Sequence, residues 1–232
     1  CTAFNQPLTF NTSAVTNMNN MFYGCSAFNS VLTFTSTSAV TSMNAMFINC
    51  TAFNQPLTFN TSAVTDMSLM FYGCSAFNSV LTFTSTSAVT DMSFMFYSCS
   101  AFNQALTFNT SAVTNMNNMF ANCTAFNQPL TFNTSAVTNM SFMFSGANSF
   151  NQNIGGWNVS SLDNGEDFMV TKTPATFSTT NLDAIYNGWV VNGVQSNVNI
   201  SFGSAKYTSA GAISKADLEN NNNWYITDGG LV

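Results

Sequence analysis

The feature that most constrains this chain is a cysteine that recurs at an almost fixed interval. Successive cysteines are 24, 25, 24, 25 and 24 residues apart, and the sequence around each is nearly the same. Fixed periods of about 20–50 residues are typical of proteins in which each repeat packs only on its neighbours. The cysteines are Cys1, Cys25, Cys50, Cys74, Cys99 and Cys123, and a degenerate seventh copy begins at Ala147.

Each copy predicts one short strand, a corner and one helical turn. The alternation in "LTF" is the two-residue period of a strand, with Leu and Phe inward and Thr outward. The longer copies read "FTSTSAV" where the shorter read "FNTSAV", and an insertion in a polar run indicates a corner. The spacing of Met18, Met21 and Phe22 suits one inward-facing helical or 3₁₀ turn.

The pattern therefore predicts a solenoid of about seven stacked coils of 24–25 residues. We expect it to be leucine-rich-repeat-like, with parallel β-strands and a short helical turn in each coil. From Ala147 the pattern weakens, as expected of a terminal repeat. We assign 1–170 to the repeat solenoid and 171–232 to a small mixed α/β C-terminal capping region.

The capping region carries its own helix and strand signals. "STTNLDAIYNGWVV" predicts a helix with Thr179 or Thr180 as its N-cap, and "VNISF" (198–202) predicts a strand. Ser214 is a candidate cap for a second helix that continues through Leu218. We expect two tryptophans, Trp189 and Trp224, to anchor this region over the last coil.

Charge is scarce, and its absence excludes several functions. Charged residues make up 5% of the chain, against about 25% in an average globular domain. The three lysines all follow residue 171, so no basic face exists for nucleic acid. No apolar run approaches the roughly 20 residues that span a bilayer, so direct membrane insertion is not expected. With no histidine and no paired carboxylates in the repeats, we expect neither an enzyme nor a cofactor.

Stacking would place the cysteines in a column about 5 Å apart, a distance that a disulfide also accepts. We expect free, buried thiols that fill the packing, with vertical disulfides as an alternative. Metal binding by the column is not expected, because no histidine or carboxylate joins it.

A cluster of oxygen-bearing side chains follows the repeats and admits two interpretations. It solvates the end of the stack, or it supplies hard ligands for calcium, although its spacing follows no known calcium loop. Its members are Asp163, Asn164, Glu166 and Asp167.

Two outward positions are candidate contact sites. Leu69, Phe94 and Phe142 lie between the paired methionines and would be apolar groups on a polar surface, which is typical of a contact patch. The alternative is that they tuck under a neighbouring corner. The second position is an outward threonine that could order ice or simply favour the strand. Its members are Thr9, Thr33, Thr58, Thr82, Thr107 and Thr131.

The repeat resembles a known family. "AFNQPLTFNTSAVTNMNNMF" and "FNQNIGGWNVSSL" are similar to the bacterial surface-protein repeat of the DUF285, BspA-like leucine-rich-repeat group. The segment from "LDAIYNGWV" to "WYITDGG" resembles the close of such repeats in secreted proteins of the Bacteroidota. The shorter copies lack one residue before the valine. The resemblance implies a secreted or cell-surface solenoid used in adhesion or protein contact, with no activity carried by defined residues.

We therefore expect a non-enzymatic extracellular or cell-surface protein that acts as a structural scaffold, an adhesion module or an interaction module. Its partner would be a protein or glycan on another surface, or neighbouring subunits of an assembly. The alternatives are an ice-binding solenoid and a virion fibre component, since similar repeats occur in virus-encoded proteins. The chain opens at Cys1 without an initiator methionine, so we expect it to be a piece of a longer protein.

Overall fold

The computed structural model describes residues 1–232 apart from the side chain of Asn192. It is a repeat protein with short parallel strand pairs and few helices. No helix in the described chain is long and apolar enough to cross a membrane. The elements are β1 (Leu8–Phe10), β2 (Leu32–Phe34), β3 (Leu57–Phe59), β4 (Leu81–Phe83), α1 (Thr179–Trp189), a 3₁₀ turn (Val190–Asn192), β5 (Asn199–Ser201), α2 (Ser209–Asn222) and β6 (Tyr225–Thr227).

The strands form three parallel two-stranded sheets, β1–β2, β3–β4 and β5–β6. In the repeats, each pair joins a 24-residue copy to the 25-residue copy that follows. The extra residue of the longer copy makes this possible. The Thr35 N–H donates to the Phe10 carbonyl at 3.2 Å, and the Thr35 hydroxyl accepts the N–H of Thr12 at 3.0 Å.

Strands do not pair where a 25-residue copy no longer follows a 24-residue copy. Between the two pairs, the Asn60 N–H donates to the Thr37 hydroxyl at 2.8 Å instead of to a backbone carbonyl. The copies that begin at Cys99 and Cys123 are both short, and their "LTF" segments lie outside strands. The prediction of a strand in every copy is therefore wrong after the fourth copy.

A second ladder connects the copies more continuously. One residue of each copy forms a parallel bridge with its counterpart in the next, with the side chain bonded to its own turn. Because the bridged position recurs in seven consecutive copies, the contact between neighbours is the same along the repeats. The bridged residues are Asn17, Ser42, Asp66, Asp91, Asn115, Asn139 and Asn164.

The predicted helical turn is replaced by consecutive turns. The Met21 N–H donates to the Met18 carbonyl at 3.4 Å, an i to i+3 bond, but Asn20 between them has a φ of 57°. Alternate N–H groups donate to carbonyls of the next copy and not within the turn. The Asn20 N–H donates to the Asn44 carbonyl at 3.1 Å, and the Phe22 N–H donates to the Met46 carbonyl at 2.8 Å. A helix would keep those donors within its own segment, so contact with the neighbouring copy determines this conformation.

The core contains most of the predicted apolar positions, and their inward orientation is confirmed. The prediction is wrong for Phe10 and Met21 of the first copy, which are exposed because no described copy covers that side. Phe96 is typical: its ring lies parallel to Phe71 at 5.5 Å, Phe120 at 5.6 Å and Phe102 at 4.3 Å between centroids. Offset-parallel rings at these distances contribute beyond their buried area. Each copy therefore packs its phenylalanines on those of both neighbours.

A ladder of buried threonines was not predicted from the sequence. The Thr37 side chain at the polar corner is buried, and its hydroxyl donates to the Asn60 carbonyl at 2.9 Å. The same bond joins each copy to the next, and it gives every buried hydroxyl an acceptor. The ladder consists of Thr12, Thr37, Thr61, Thr86, Thr110 and Thr134.

The two C-terminal helices begin at residues other than those predicted. The N-cap of α1 is Ser178, whose hydroxyl accepts the Asn181 N–H at 3.2 Å, so Thr179 and Thr180 lie inside the helix. Helix α2 begins at Ser209 with Thr208 as its N-cap, and not near Ser214.

A tertiary contact sets the start of α2. The buried carboxylate of Asp183 in α1 accepts both the N–H and the hydroxyl of Thr208, at 2.8 and 2.6 Å.

The predicted strand is confirmed, since β5 lies within 198–202. Trp189 anchors the region to the last copy as predicted, because its indole N–H donates to the Ile154 carbonyl at 3.1 Å. Trp224 is buried as well, but it packs on Trp189 and donates to the Gln195 carbonyl within the C-terminal region.

Candidate interaction surface

Three half-buried apolar residues occupy an unfavourable backbone conformation. Leu69, Phe94 and Phe142 have φ values of 59°, 55° and 56°. A bulky residue in this left-handed region costs roughly 1–2 kcal/mol, whereas asparagine adopts it readily. Asn20 and Asn118 hold the same position in other copies, with the same φ. These apolar side chains therefore sit where the repeat itself accommodates asparagine.

Two of the three belong to a cluster of rings at the surface. Tyr72 and Tyr97 stack with centroids 4.6 Å apart and an angle of 7°. Phe94 lies tilted beside both, at 6.4 Å from Tyr72 and 5.7 Å from Tyr97. The Leu69 N–H donates to the Ser93 carbonyl, and the Leu69 carbonyl accepts the Tyr72 N–H, so the backbone of Leu69 adjoins that of Tyr72 and of the residue before Phe94. We call Leu69, Tyr72, Phe94 and Tyr97 the aromatic patch.

The aromatic patch is confined to the copies that begin at Cys50 and Cys74. The structure does not bring Phe142 into it, since no ring contact of Phe142 occurs in the described chain. The tyrosines were missed from the sequence, although their position varies between copies and could have signalled them. That position holds Tyr23, Ile48, Tyr72, Tyr97, Ala121 and Ser145.

The same two copies carry the first two charges of the chain, Asp66 and Asp91. These residues form a parallel bridge, so two like charges occupy adjacent positions. One Asp66 oxygen accepts the N–H and hydroxyl of Ser68 at 2.9 and 2.6 Å, and an Asp91 oxygen accepts the Ser93 N–H at 2.7 Å. Opposed like charges destabilise a strand pair. Other copies place an uncharged Asn or Ser at this position.

The threonine column points outward, as predicted. All six side chains are exposed, with Thr9 paired to Thr33 and Thr58 paired to Thr82. The paired strands do not continue from β2 to β3, so the column is regular only within each pair.

The acidic cluster is not brought together as a calcium site. Asp163 and Glu166 are exposed, and the Asn164 side-chain oxygen accepts the Glu166 N–H at 3.0 Å. Among the residues that the structure describes, no group of three or more His, Cys, Asp or Glu could hold a metal ion.

The cysteine column is free of disulfides throughout the described chain, and five of the six thiols are buried. The Cys50 thiol donates to the Phe22 carbonyl at 2.9 Å. Burial raises the pKa of Cys50 to about 12 and holds those of Cys74 and Cys99 well above their usual range. The prediction of buried thiols is wrong for Cys1, which is exposed because no described copy covers it.

Lys172 is a buried cation that sequence reasoning missed. It lies 25 residues after Ala147, at the position that cysteine holds in earlier copies. Its amine donates to the carbonyls of Ala147, Phe150 and Asn148 at 2.5, 2.6 and 3.3 Å. Burial lowers the pKa of Lys172 to about 8. The three acceptors match the three donors of a protonated amine and fix the chain at the end of the repeats.

The comparison with protein families identifies the repeat. The model of a family described as "Mycoplasma protein of unknown function, DUF285" matches residues 1–107, 80–182 and 106–215. The chain belongs to the DUF285 family. The overlapping matches extend over most of the chain, and they confirm the resemblance seen in the sequence. No curated protein and no solved structure matches the chain.

The burial of the thiols in this DUF285 chain gives a direct test of its packing. A water-soluble thiol reagent should modify Cys1 rapidly and leave the five buried cysteines unmodified, because a thiol must be exposed and ionised to react. Mass spectrometry of the labelled, folded protein should show a single adduct. In denaturant all six should react. Rapid modification of several cysteines in the folded protein would contradict this packing.

Proposed function

We propose that the seven copies are successive coils of one solenoid. The bridges at one position per copy and the phenylalanines stacked between neighbouring copies support this proposal. Each copy buries its apolar layer only against its neighbours, which is the arrangement that makes repeat proteins extended scaffolds. The helices α1 and α2 would close one end of the stack.

We propose further that this scaffold makes contacts without catalysis, at an extracellular or cell-surface location. Its partner would be a protein or glycan on another surface, or neighbouring subunits of an assembly. The location rests on the resemblance of the repeat sequence to surface-protein repeats, since the family's own description is of a protein of unknown function. A virion fibre would use the same scaffold. Ice binding is less favoured, because the threonine strands pair only two by two.

The observation that carries the proposal is the group of apolar residues in the left-handed conformation. Packing explains the buried columns, but it does not explain Leu69, Phe94 and Phe142, which replace a better-suited asparagine. Costly conformations concentrate at functional sites, and apolar side chains that remain partly open to solvent can contribute to a contact surface. We therefore assign partner contact to the aromatic patch and Phe142.

The test replaces Leu69, Phe94 and Phe142 together by asparagine, the residue that other copies carry there. Because asparagine suits the backbone, the variant should fold as well as the parent. The protein on beads would be exposed to immobilised extracellular-matrix proteins, glycans and extracts of the cells that produce it. We expect specific capture by the parent to fall about tenfold or more in the variant, since a few apolar anchors carry most of a contact energy.

A matched control removes three exposed apolar residues elsewhere, Val31, Val80 and Tyr225, again by asparagine. This control should capture as much as the parent protein. Equal capture by the parent and the Leu69, Phe94 and Phe142 variant would refute the assignment.

A further inference from the structure

We propose that the aromatic patch, with Asp66 and Asp91, binds a cationic segment of a protein partner through its arginine or lysine side chains. This inference rests on the proposed function and names the chemistry of its partner. The first step is that acid and aromatic residues coincide. Two adjacent copies contain both carboxylates of residues 1–162 and all three members of the surface ring cluster.

The second step is that the chain itself supplies no cation for these carboxylates. The first basic residue is Lys172, and the ion pairs of the described residues all involve Lys215 near the C-terminus. Asp66 and Asp91 instead accept hydrogen bonds from the neutral residues Ser68, Ser93 and Asn115. Their charges are thus uncompensated within the repeats, and a cationic partner would relieve the repulsion between them.

The carboxylates and the rings lie close enough together along the chain for one short peptide to contact both. In each copy the aspartate precedes the apolar residue by three positions and the tyrosine by six, as in Asp66, Leu69 and Tyr72. Six residues span at most about 20 Å. A short peptide can therefore contact carboxylates and rings together. A guanidinium or ammonium is attracted to aromatic faces and pairs with carboxylates, whereas a neutral glycan would gain nothing from the acids.

The experiment uses fluorescence anisotropy and a labelled peptide that alternates arginine with leucine and glycine. Its counterpart has citrulline, which is neutral, in place of arginine. The intact chain should bind the arginine peptide in low salt and should bind the citrulline peptide far less. The Asp66→Asn, Asp91→Asn double variant should weaken arginine binding about three- to tenfold, the range expected of exposed charge pairs. Both changes introduce a residue that other copies carry there, so the fold should persist.

The control is the Asp163→Asn, Glu166→Gln double variant, which removes the same net charge from exposed positions. It should bind the arginine peptide as the parent does. Equal weakening in both double variants would mean that only net charge matters, and it would overturn the inference. Equal binding of the arginine and citrulline peptides would also overturn it, as would the absence of any binding of the arginine peptide. If the asparagine triple variant loses partner capture while the Asp66, Asp91 variant keeps it, the proposed function stands and the cationic partner fails. If partner capture is unchanged in the Leu69, Phe94 and Phe142 variant, the assignment of partner contact to these residues is refuted, whatever the arginine peptide does.

Discussion

Replacing Phe96 by alanine should lower the free energy of unfolding by about 3–5 kcal/mol, the usual cost of truncating a buried phenylalanine. Phe96 is fully buried and contacts three other rings. The truncation would leave a cavity between stacked copies, where each layer supports two neighbours. Urea unfolding followed by circular dichroism would measure the change.

Phe94, two residues earlier, supplies the matched comparison. Asparagine there should relieve roughly 1–2 kcal/mol of backbone strain. The two lost ring contacts, with Tyr72 and Tyr97, should cost about 0.5–1.5 kcal/mol each. The two effects oppose each other, so the net change should stay within about 2 kcal/mol. A loss at position 94 as large as that at position 96 would show that Phe94 belongs to the core and not to a contact surface.

The second large effect is loss of stability at alkaline pH. Burial raises the pKa of Cys50 to about 12 and raises those of Cys74, Cys99 and Cys123 as well, from an ordinary value of 9.0. Above pH 9 the unfolded chain releases these protons while the folded chain retains them. The free energy of unfolding must therefore fall as pH rises, by about 1.4 kcal/mol per pH unit for each thiol and about 5 for the four.

Lys172 acts in the opposite direction over a narrower window. Burial lowers the pKa of Lys172 from 10.5 to about 8, so between these values the folded chain has released a proton that the unfolded chain retains. The contribution of Lys172 to the free energy of unfolding therefore rises with pH between about 8 and 10.5. Its slope cancels the downward slope of about one cysteine. Above pH 10.5 only the downward slope remains. Burial beside Asp228 also raises the pKa of Tyr186, which adds to that slope.

Urea titrations under reducing conditions, repeated at closely spaced alkaline pH values, would measure this slope. Cys99→Ala should reduce it by about 1.4 kcal/mol per pH unit, whereas Cys1→Ala should leave it unchanged because Cys1 is exposed. A parent protein whose stability is independent of pH above 10.5 would contradict the burial of the thiol column.

The site was only partly predictable from the sequence. Leu69 and Phe94 could be selected because their position varies between copies, and the same variation at the position of Tyr72 and Tyr97 was missed. The sequence could not indicate the contact between the two tyrosine rings. Tyr72 and Tyr97 lie 25 residues apart, and their stacking depends on the contact between copies. The left-handed backbone at Phe94 could not be predicted either, because the Phe94 N–H donates to the Asn117 carbonyl of the next copy.

The sequence by itself determined the family, the repeat length and the inward-facing residues, because a fixed period and an apolar pattern are local properties of the chain. Only the tertiary structure decided which backbone groups bond across copies. The sequence predicted a single helical or 3₁₀ turn at Met18–Phe22, but bonds to the next copy impose consecutive non-helical turns there. Likewise, a strand was predicted in every copy, yet pairing needs a longer copy after a shorter one. Hydrogen bonds between copies depend on both partners, whereas hydrophobic burial is indicated by each residue alone.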